Sequence, residues 1–345
     1  MKLQRALVRM MLGLPEGLLR RLSGGSPLVI DGRTLDAQFQ FIAAQAAKAP
    51  PPDPFTVAAG RAGTDLLNAM FGGAPEPGVS FQDEVFAGPA GPVPVRIYKP
   101  SRQRREAPAL TYLHFGGGVV GSIETCHAFC TILSQEIGCP VVSVEYRLAP
   151  EHPFPAGLED AIAAHDWTCA NAERLGAPAG VAAVAGDSMG GNFAAIIAQE
   201  RKRRGAAQPF FQLLIYPATD LTAQGGSMDA YSQCFPLTAD TMAWFMAHYL
   251  PAGADRADPR LSPLLEKDLS GLAPALVATA GFDPLLDQGA AYASRLEGAG
   301  ISTKYLCFDS LAHGFTAFTG AVQAADAACR AIARETARAY RALGG

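Results

Sequence analysis

The sequence predicts a doubly wound α/β fold, a mostly parallel sheet flanked by helices, and three observations predict it. Eight strand-like runs recur along the chain with helix-like stretches or turns between them: Phe81–Phe86, Val93–Tyr98, Leu110–Phe115, Val141–Tyr146, Val181–Ala185, Phe210–Tyr216, Leu276–Ala280 and Thr303–Phe308. The last six are continuous apolar runs with longer crossovers, as parallel strands buried on both faces require. The first two flank Ala87-Gly88-Pro89-Ala90-Gly91-Pro92 and read as an antiparallel hairpin at one edge. In such a sheet, sites form at the carboxyl ends of the strands.

Two stretches break the alternation. Residues 1–78 are helix-like pieces interrupted by Pro50-Pro51-Pro52, which reads as a linker, and by Gly72-Gly73-Ala74-Pro75-Glu76-Pro77. Residues 218–250 form a polar loop followed by Thr238–Leu250, which carries Met242, Trp244, Phe245, Met246 and Tyr249. Both are expected to lie over the sheet's carboxyl edge as a helical cap, with 79–217 and 251–345 as the α/β domain. A chain of 345 residues fits one large domain with an accessory piece.

Composition excludes several classes. Hydrophobic content of 49% with 17% charged residues marks a globular protein, and a net charge of −4 leaves no footprint for nucleic acid. The clusters Arg102/Arg104/Arg105 and Arg201/Lys202/Arg203/Arg204 are local, and the second reads as a solvated helix end stopped by Gly205. Seven scattered cysteines, an odd number, fit a reducing cytoplasm; Cys126 and Cys130 lack the second pair that a zinc site needs. The apolar piece Met10–Leu14 is too short to span a membrane. Leu3, Leu7, Met10, Leu14 and Leu18 recur at helical spacing and are expected to pack on the protein itself, so no stable membrane insertion is expected.

Chemistry enters at Gly186-Asp187-Ser188-Met189-Gly190, between the apolar run Val181–Ala185 and the helix-like Asn192–Glu200. A serine between two glycines at a strand-to-helix corner is a nucleophile elbow. A serine hydroxyl is a weak nucleophile at neutral pH and needs a histidine base held by a carboxylate. On α/β folds with this elbow the chain order is Ser, acid, His, which leaves only His248 and His313. His248 lies among aromatics on a predicted helix, whereas His313 follows the last strand and is the expected base. Asp283 leaves the end of the run Leu276–Ala280 and is held extended by Pro284; Asp287 reads as capping or starting the next helix and Asp309 as a weaker orienter. His114-Phe115-Gly116-Gly117-Gly118 follows a strand where backbone amides can turn toward an oxyanion, and His114 reads as a structural hydrogen-bonder.

Taken together these segments resemble the bacterial hormone-sensitive-lipase-like serine esterases of the α/β-hydrolase superfamily. The likeness runs through Glu145-Tyr146-Arg147-Leu148-Ala149-Pro150-Glu151-His152-Pro153, Leu214-Ile215-Tyr216-Pro217, Asp283-Pro284-Leu285 with Asp287, and His313-Gly314-Phe315. It implies an eight-stranded α/β-hydrolase fold with Ser188, Asp283 and His313 as catalytic triad and Gly116, Gly117 and the Met189 amide as oxyanion hole. Two departures stand out: Phe115 replaces the first glycine of the family's glycine run, and Met189 replaces the usual alanine. The expected activity is hydrolysis of short- to medium-chain carboxylic esters through an acyl-enzyme, with no metal or organic cofactor. The aromatics Phe39, Phe41, Phe71, Trp244 and Phe245 are expected to supply an apolar cap surface. A lactonase or acyltransferase on the same triad is the alternative, a non-catalytic ligand-binding scaffold a remote one, and a homodimer is left open.

Overall fold

In the computed structural model the described residues are 2–48 and 55–344. Pro50-Pro51-Pro52, expected as a linker, lies outside them. Val29–Ile30 (β1) and Arg33–Thr34 (β2) form a short antiparallel pair that the apolar pattern is too brief to announce. The main strands are Val79–Gly88 (β3), Gly91–Pro100 (β4), Ala109–Leu113 (β5), Val141–Val144 (β6), Ala182–Asp187 (β7), Gln212–Ile215 (β8), Ala275–Phe282 (β9) and Thr303–Ala312 (β10). They make one eight-stranded sheet in the order β10-β9-β8-β7-β5-β6-β4-β3. The hairpin β3–β4 is antiparallel and pairs antiparallel with β6; every pairing from β6 to β10 is parallel. This is the α/β-hydrolase fold, with each predicted strand present.

The interior strands are apolar because helices cover both faces. Every residue of β5, β6, β7, β8 and β9 is buried. One face packs against helices Ile123–Ile137 and Gln323–Ala342, and the other against Ala156–Ala170, Met189–Arg203 and Leu286–Gly298. At the end of Met189–Arg203 the basic cluster is paired: Arg201 with Asp166, Lys202 with Asp268, and Arg203 with Glu266. Gly205 follows with a φ of 63°, and this end is the solvated helix terminus its sequence predicts.

At the amino end, Pro15 divides two helices, Lys2–Leu12 and Glu16–Leu22. Val8, Met11, Leu12, Leu14 and Leu19 pack on the core, while Leu7, Met10 and Leu18 face outward, contrary to expectation. Arg33 bonds Asp309 at 3.0 Å and the Asp36 amide bonds the Ser310 carbonyl at 2.9 Å, so the segment is tied to β10. No helix among the described residues is long and apolar enough to cross a membrane.

Candidate active site

The elbow after β7 is a sterically forced corner. Ser188 has φ 56° and ψ −117°, outside the ordinary regions for a residue with a side chain. A Cβ on Gly186 would overlap the backbone of Gly190, and one on Gly190 would overlap the carbonyl of Leu113 on β5. Both glycines are therefore demanded by the approach of helix Met189–Arg203 to its own strand and the next. The strained turn is fastened by the Ser188 amide to Ile215 O at 2.9 Å and by Asn192 Nδ2 to Ala218 O and Leu261 O at 2.6 and 2.8 Å.

Three strand ends bring three side chains together. Ser188 Oγ lies 3.0 Å from His313 Nε2, and His313 Nδ1 lies 2.7 Å from Asp283 Oδ2. Asp283 follows β9, has no exposed surface, and accepts the Leu285 amide on Oδ1 at 2.8 Å. His313 follows β10, and its ring packs at 4.7 Å on Tyr216 at the end of β8. The other candidates lie elsewhere. Asp309 pairs with Arg33 at the surface, His248 bonds the Trp244 carbonyl within its own helix, and Asp287 accepts the Ser227 amide at 2.8 Å. Asp287 thus holds a neighbouring segment and does not face His313.

Beneath the elbow is a network that the sequence did not announce. Tyr216 and Thr316 hydroxyls donate to Asp187 Oδ2 at 2.9 and 2.7 Å. Asp187 is fully buried, and desolvation raises its carboxyl above the ordinary aspartate range. Thr316 lies in the turn just after His313, and Tyr216, at the end of β8, packs on its ring, so Asp187 ties the His313 loop to the elbow. The i−1 position of the motif was its only sequence signal.

Gly116, Gly117 and Gly118 all have positive φ, at 125°, 61° and 72°. Gly116 O accepts the amides of Val119 and Val120 at 3.0 Å, which curls the loop back on itself. Among the described residues no backbone hydrogen bond uses the amides of Gly116, Gly117 or Met189. The ring of Phe245 lies where a Cβ on Gly117 would project, and Tyr249 does the same at Gly118. His114 stacks on Tyr146 with ring centroids 4.2 Å apart, and the Tyr146 hydroxyl donates to the His114 carbonyl at 2.7 Å. Burial pulls the His114 imidazole down to about 4, so it is neutral and structural.

The described residues 110–317 match a family whose members have the alpha/beta hydrolase fold. A carboxylic ester hydrolase of Mycobacterium tuberculosis, LipN, is 41% identical over 318 residues, which cover 89% of this chain and 84% of that protein. An ethyl acetate hydrolase of Pseudomonas putida is 42% identical over 68% of this chain and 74% of its own length. Among solved structures, an ester hydrolase from the Lake Arreo metagenome superposes with a TM-score of 0.83 at 39% identity, covering 88% and 96% of the two chains. A hyperthermophilic esterase from Pyrobaculum calidifontis gives 0.80 at 37%, covering 88% and 97%. The chain belongs to the hormone-sensitive-lipase-like alpha/beta hydrolases.

In this family member a cavity of about 810 Å³ opens at Ser188. Its apolar lining is aliphatic and thioether: Met189, Leu221, Met228, Met242, Met246 and Leu285. The aromatics expected there are used otherwise. Phe39 and Phe71 pack on Phe318, and Phe41 is buried in the core. Trp244 packs on Phe55, and Phe245 touches the glycine loop. The segment before β3 offers strong hydrophobes, but it meets the sheet beside helix Gln323–Ala342, and none of its described residues lines this cavity. Cys126 and Cys130 are buried free thiols in the core.

Proposed function

We propose that this chain is a serine carboxylesterase that hydrolyses short- to medium-chain esters through an acyl-enzyme on Ser188. The observation that carries this reading is the buried line from Ser188 Oγ through His313 to Asp283, at 3.0 and 2.7 Å. Membership of the family and relatives called carboxylic ester hydrolases support the reaction class. In the reading, Ser188 Oγ attacks the ester carbonyl while its proton passes to His313 Nε2. Asp283 accepts the Nδ1–H and stabilises the imidazolium. The carbonyl oxygen, now an oxyanion, takes hydrogen bonds from the amides of Gly116, Gly117 and Met189, each worth about 3 kcal/mol in related sites. Collapse breaks the bond to the alkoxy oxygen, which leaves with the proton from Nε2. Water, deprotonated by His313, then adds to the acyl carbon and frees Ser188 and the acid.

Residues 218–250 are proposed as the part of the cap that walls the ester, and 1–78 as the part that braces the rest. Met189 fills the acyl side where the family has alanine, and a cavity of about 810 Å³ with a flexible methionine lining supports soluble esters of moderate size. The test is a rate series on p-nitrophenyl esters from acetate to palmitate, with and without added alcohols. The highest kcat/KM is expected among the shorter soluble esters, with free acid as main product. Preference for emulsified palmitate would overturn the chain-length assignment, and transfer to the alcohol would reassign it as an acyltransferase.

A further inference from the structure

We propose that Arg61, on the helix Val57–Phe71, is a positioning residue for the oxyanion loop, so that the N-terminal segment contributes to turnover without touching substrate. The proposal rests on the role assigned above to Gly116 and Gly117. Three consecutive glycines with positive φ have much conformational freedom to lose, and a donor set for an oxyanion must be held to within about 0.5 Å. The loop therefore needs fastening from outside.

Arg61 is placed to do this. Its Nε donates to Val119 O at 3.1 Å and its Nη2 to Ala149 O at 3.1 Å. Those two residues are themselves the clasps of the loop: the Val119 amide holds Gly116 O at 3.0 Å, and the Ala149 amide holds Gly118 O at 2.8 Å. One guanidinium thus joins both clasps through their carbonyls. Glu151 aims it, accepting from Nη1 at 2.9 Å and from Nη2 at 2.7 Å. The hydrogen bond from Arg61 holds the Glu151 carboxyl down at about 2, so it is ionised at neutral pH. A planar fork reaching two carbonyls and a carboxylate is a task for arginine that an ammonium cannot reproduce.

Arg61 is not what keeps its helix in place. Gly60 lies against the Trp244 ring, the Trp244 indole N–H donates to Phe55 O at 3.1 Å, and Asn68 Nδ2 donates to Glu124 O at 2.9 Å. Loss of the guanidinium should therefore be felt at the loop more than in docking.

The experiment compares Arg61→Ala, Arg61→Lys and Asn68→Ala for kcat, KM, thermal midpoint and inhibition by an aryl trifluoromethyl ketone, whose serine adduct carries an oxyanion. The Arg61→Ala variant should lose roughly ten- to hundredfold in kcat and in ketone affinity together, with KM within about twofold. Arg61→Lys should recover little of this, and Asn68→Ala should lower the thermal midpoint while kcat stays put. If Arg61→Ala lowers the midpoint but leaves kcat and ketone affinity unchanged, the role is structural and the proposal fails. If Arg61→Ala does not fold, Glu151→Gln carries the test, with a smaller parallel loss expected and no loss contradicting it. Failure of the underlying reading looks different: the wild type would then neither bind the ketone nor depend on Ser188.

Discussion

Two glycine turns sit side by side at the ends of β7 and β5, and they are held by different means. The elbow Gly186–Gly190 is locked from within. Its glycines face backbone, its serine is strained, and its fastenings come from β8 and from its own helix. In the loop Gly116–Gly118 only Gly116 faces backbone, the Val120 carbonyl of its own turn. Gly117 and Gly118 are held from without, by Phe245 and Tyr249 of helix Ala239–Tyr249, and the clasps are joined by Arg61. A turn enforced by backbone overlap leaves a local sequence signature. A turn braced by distant side chains leaves only its glycines.

The contrast is broken most directly by adding one methyl group to each turn. Gly190→Ala drives a Cβ into the Leu113 carbonyl, a fixed backbone atom, and is expected to abolish soluble folded protein or to cost more than about 3 kcal/mol in denaturant titration. Gly117→Ala drives a Cβ into the Phe245 ring, a side chain that can shift where backbone cannot, and should fold, with about 1 kcal/mol lost for the left-handed backbone, a further loss for displacing the ring, and kcat down roughly tenfold or more. Pairing it with Phe245→Ala should return part of that loss if the ring is the obstacle. Equal loss of folding in both single variants would end the distinction.

Among changes that preserve the fold, the acid pair sharpens the elbow side. Asp283→Asn should lower kcat by about 10⁴ by favouring the wrong tautomer of His313, whereas Asp287→Asn should cost less than about tenfold. Asp287 faces the Ser227 amide, so its variant should show mainly a lower thermal midpoint. Reversed kinetic outcomes would reassign the orienter.

The pH dependence of stability probes the loop side. His114 has its imidazole held at about 4 in the fold, below the value of 6.5 for a solvated histidine. The unfolded chain then binds the proton first, so this group's contribution is complete above about 7 and is lost as pH falls toward 4. Relative to His114→Gln, wild type should lose roughly 2 kcal/mol of stability between pH 7 and 5 in urea titrations. A constant difference would mean that the histidine is not buried neutral. The smallest effect belongs to Met189→Ala, which widens the acyl side and should move the preferred acyl chain longer by a few-fold in kcat/KM. An unchanged chain-length profile would remove Met189 from the specificity wall.

All eight main strands were legible because interior parallel strands are short, continuous apolar runs between turn-forming residues. Ser188 and His313 were legible because a strained corner and a strand-end loop restrict which residues fit. The cap was not. Phe39, Phe41 and Phe71 are hydrophobic whether they line a cavity or fill a core, and only the fold puts them beside Phe318. The bracing of the glycine loop was equally hidden: Arg61 reaches partners 58 and 88 residues away, and its own segment carries no motif. Leu7, Met10 and Leu18 turn outward because Val8, Met11, Leu12 and Leu19, on an adjacent stripe of the same helical phase, are the residues that pack, and spacing alone does not choose between two apolar stripes.

The central assignment, Ser188 as the acylated nucleophile, is tested most directly by titrating the wild-type protein with a fluorophosphonate and locating the adduct by peptide mass spectrometry. The account predicts one phosphonate per chain, on the Ser188 peptide, with esterase activity falling in step with labelling. Full activity in the labelled protein, or an adduct on any other residue accompanying its loss, would contradict it.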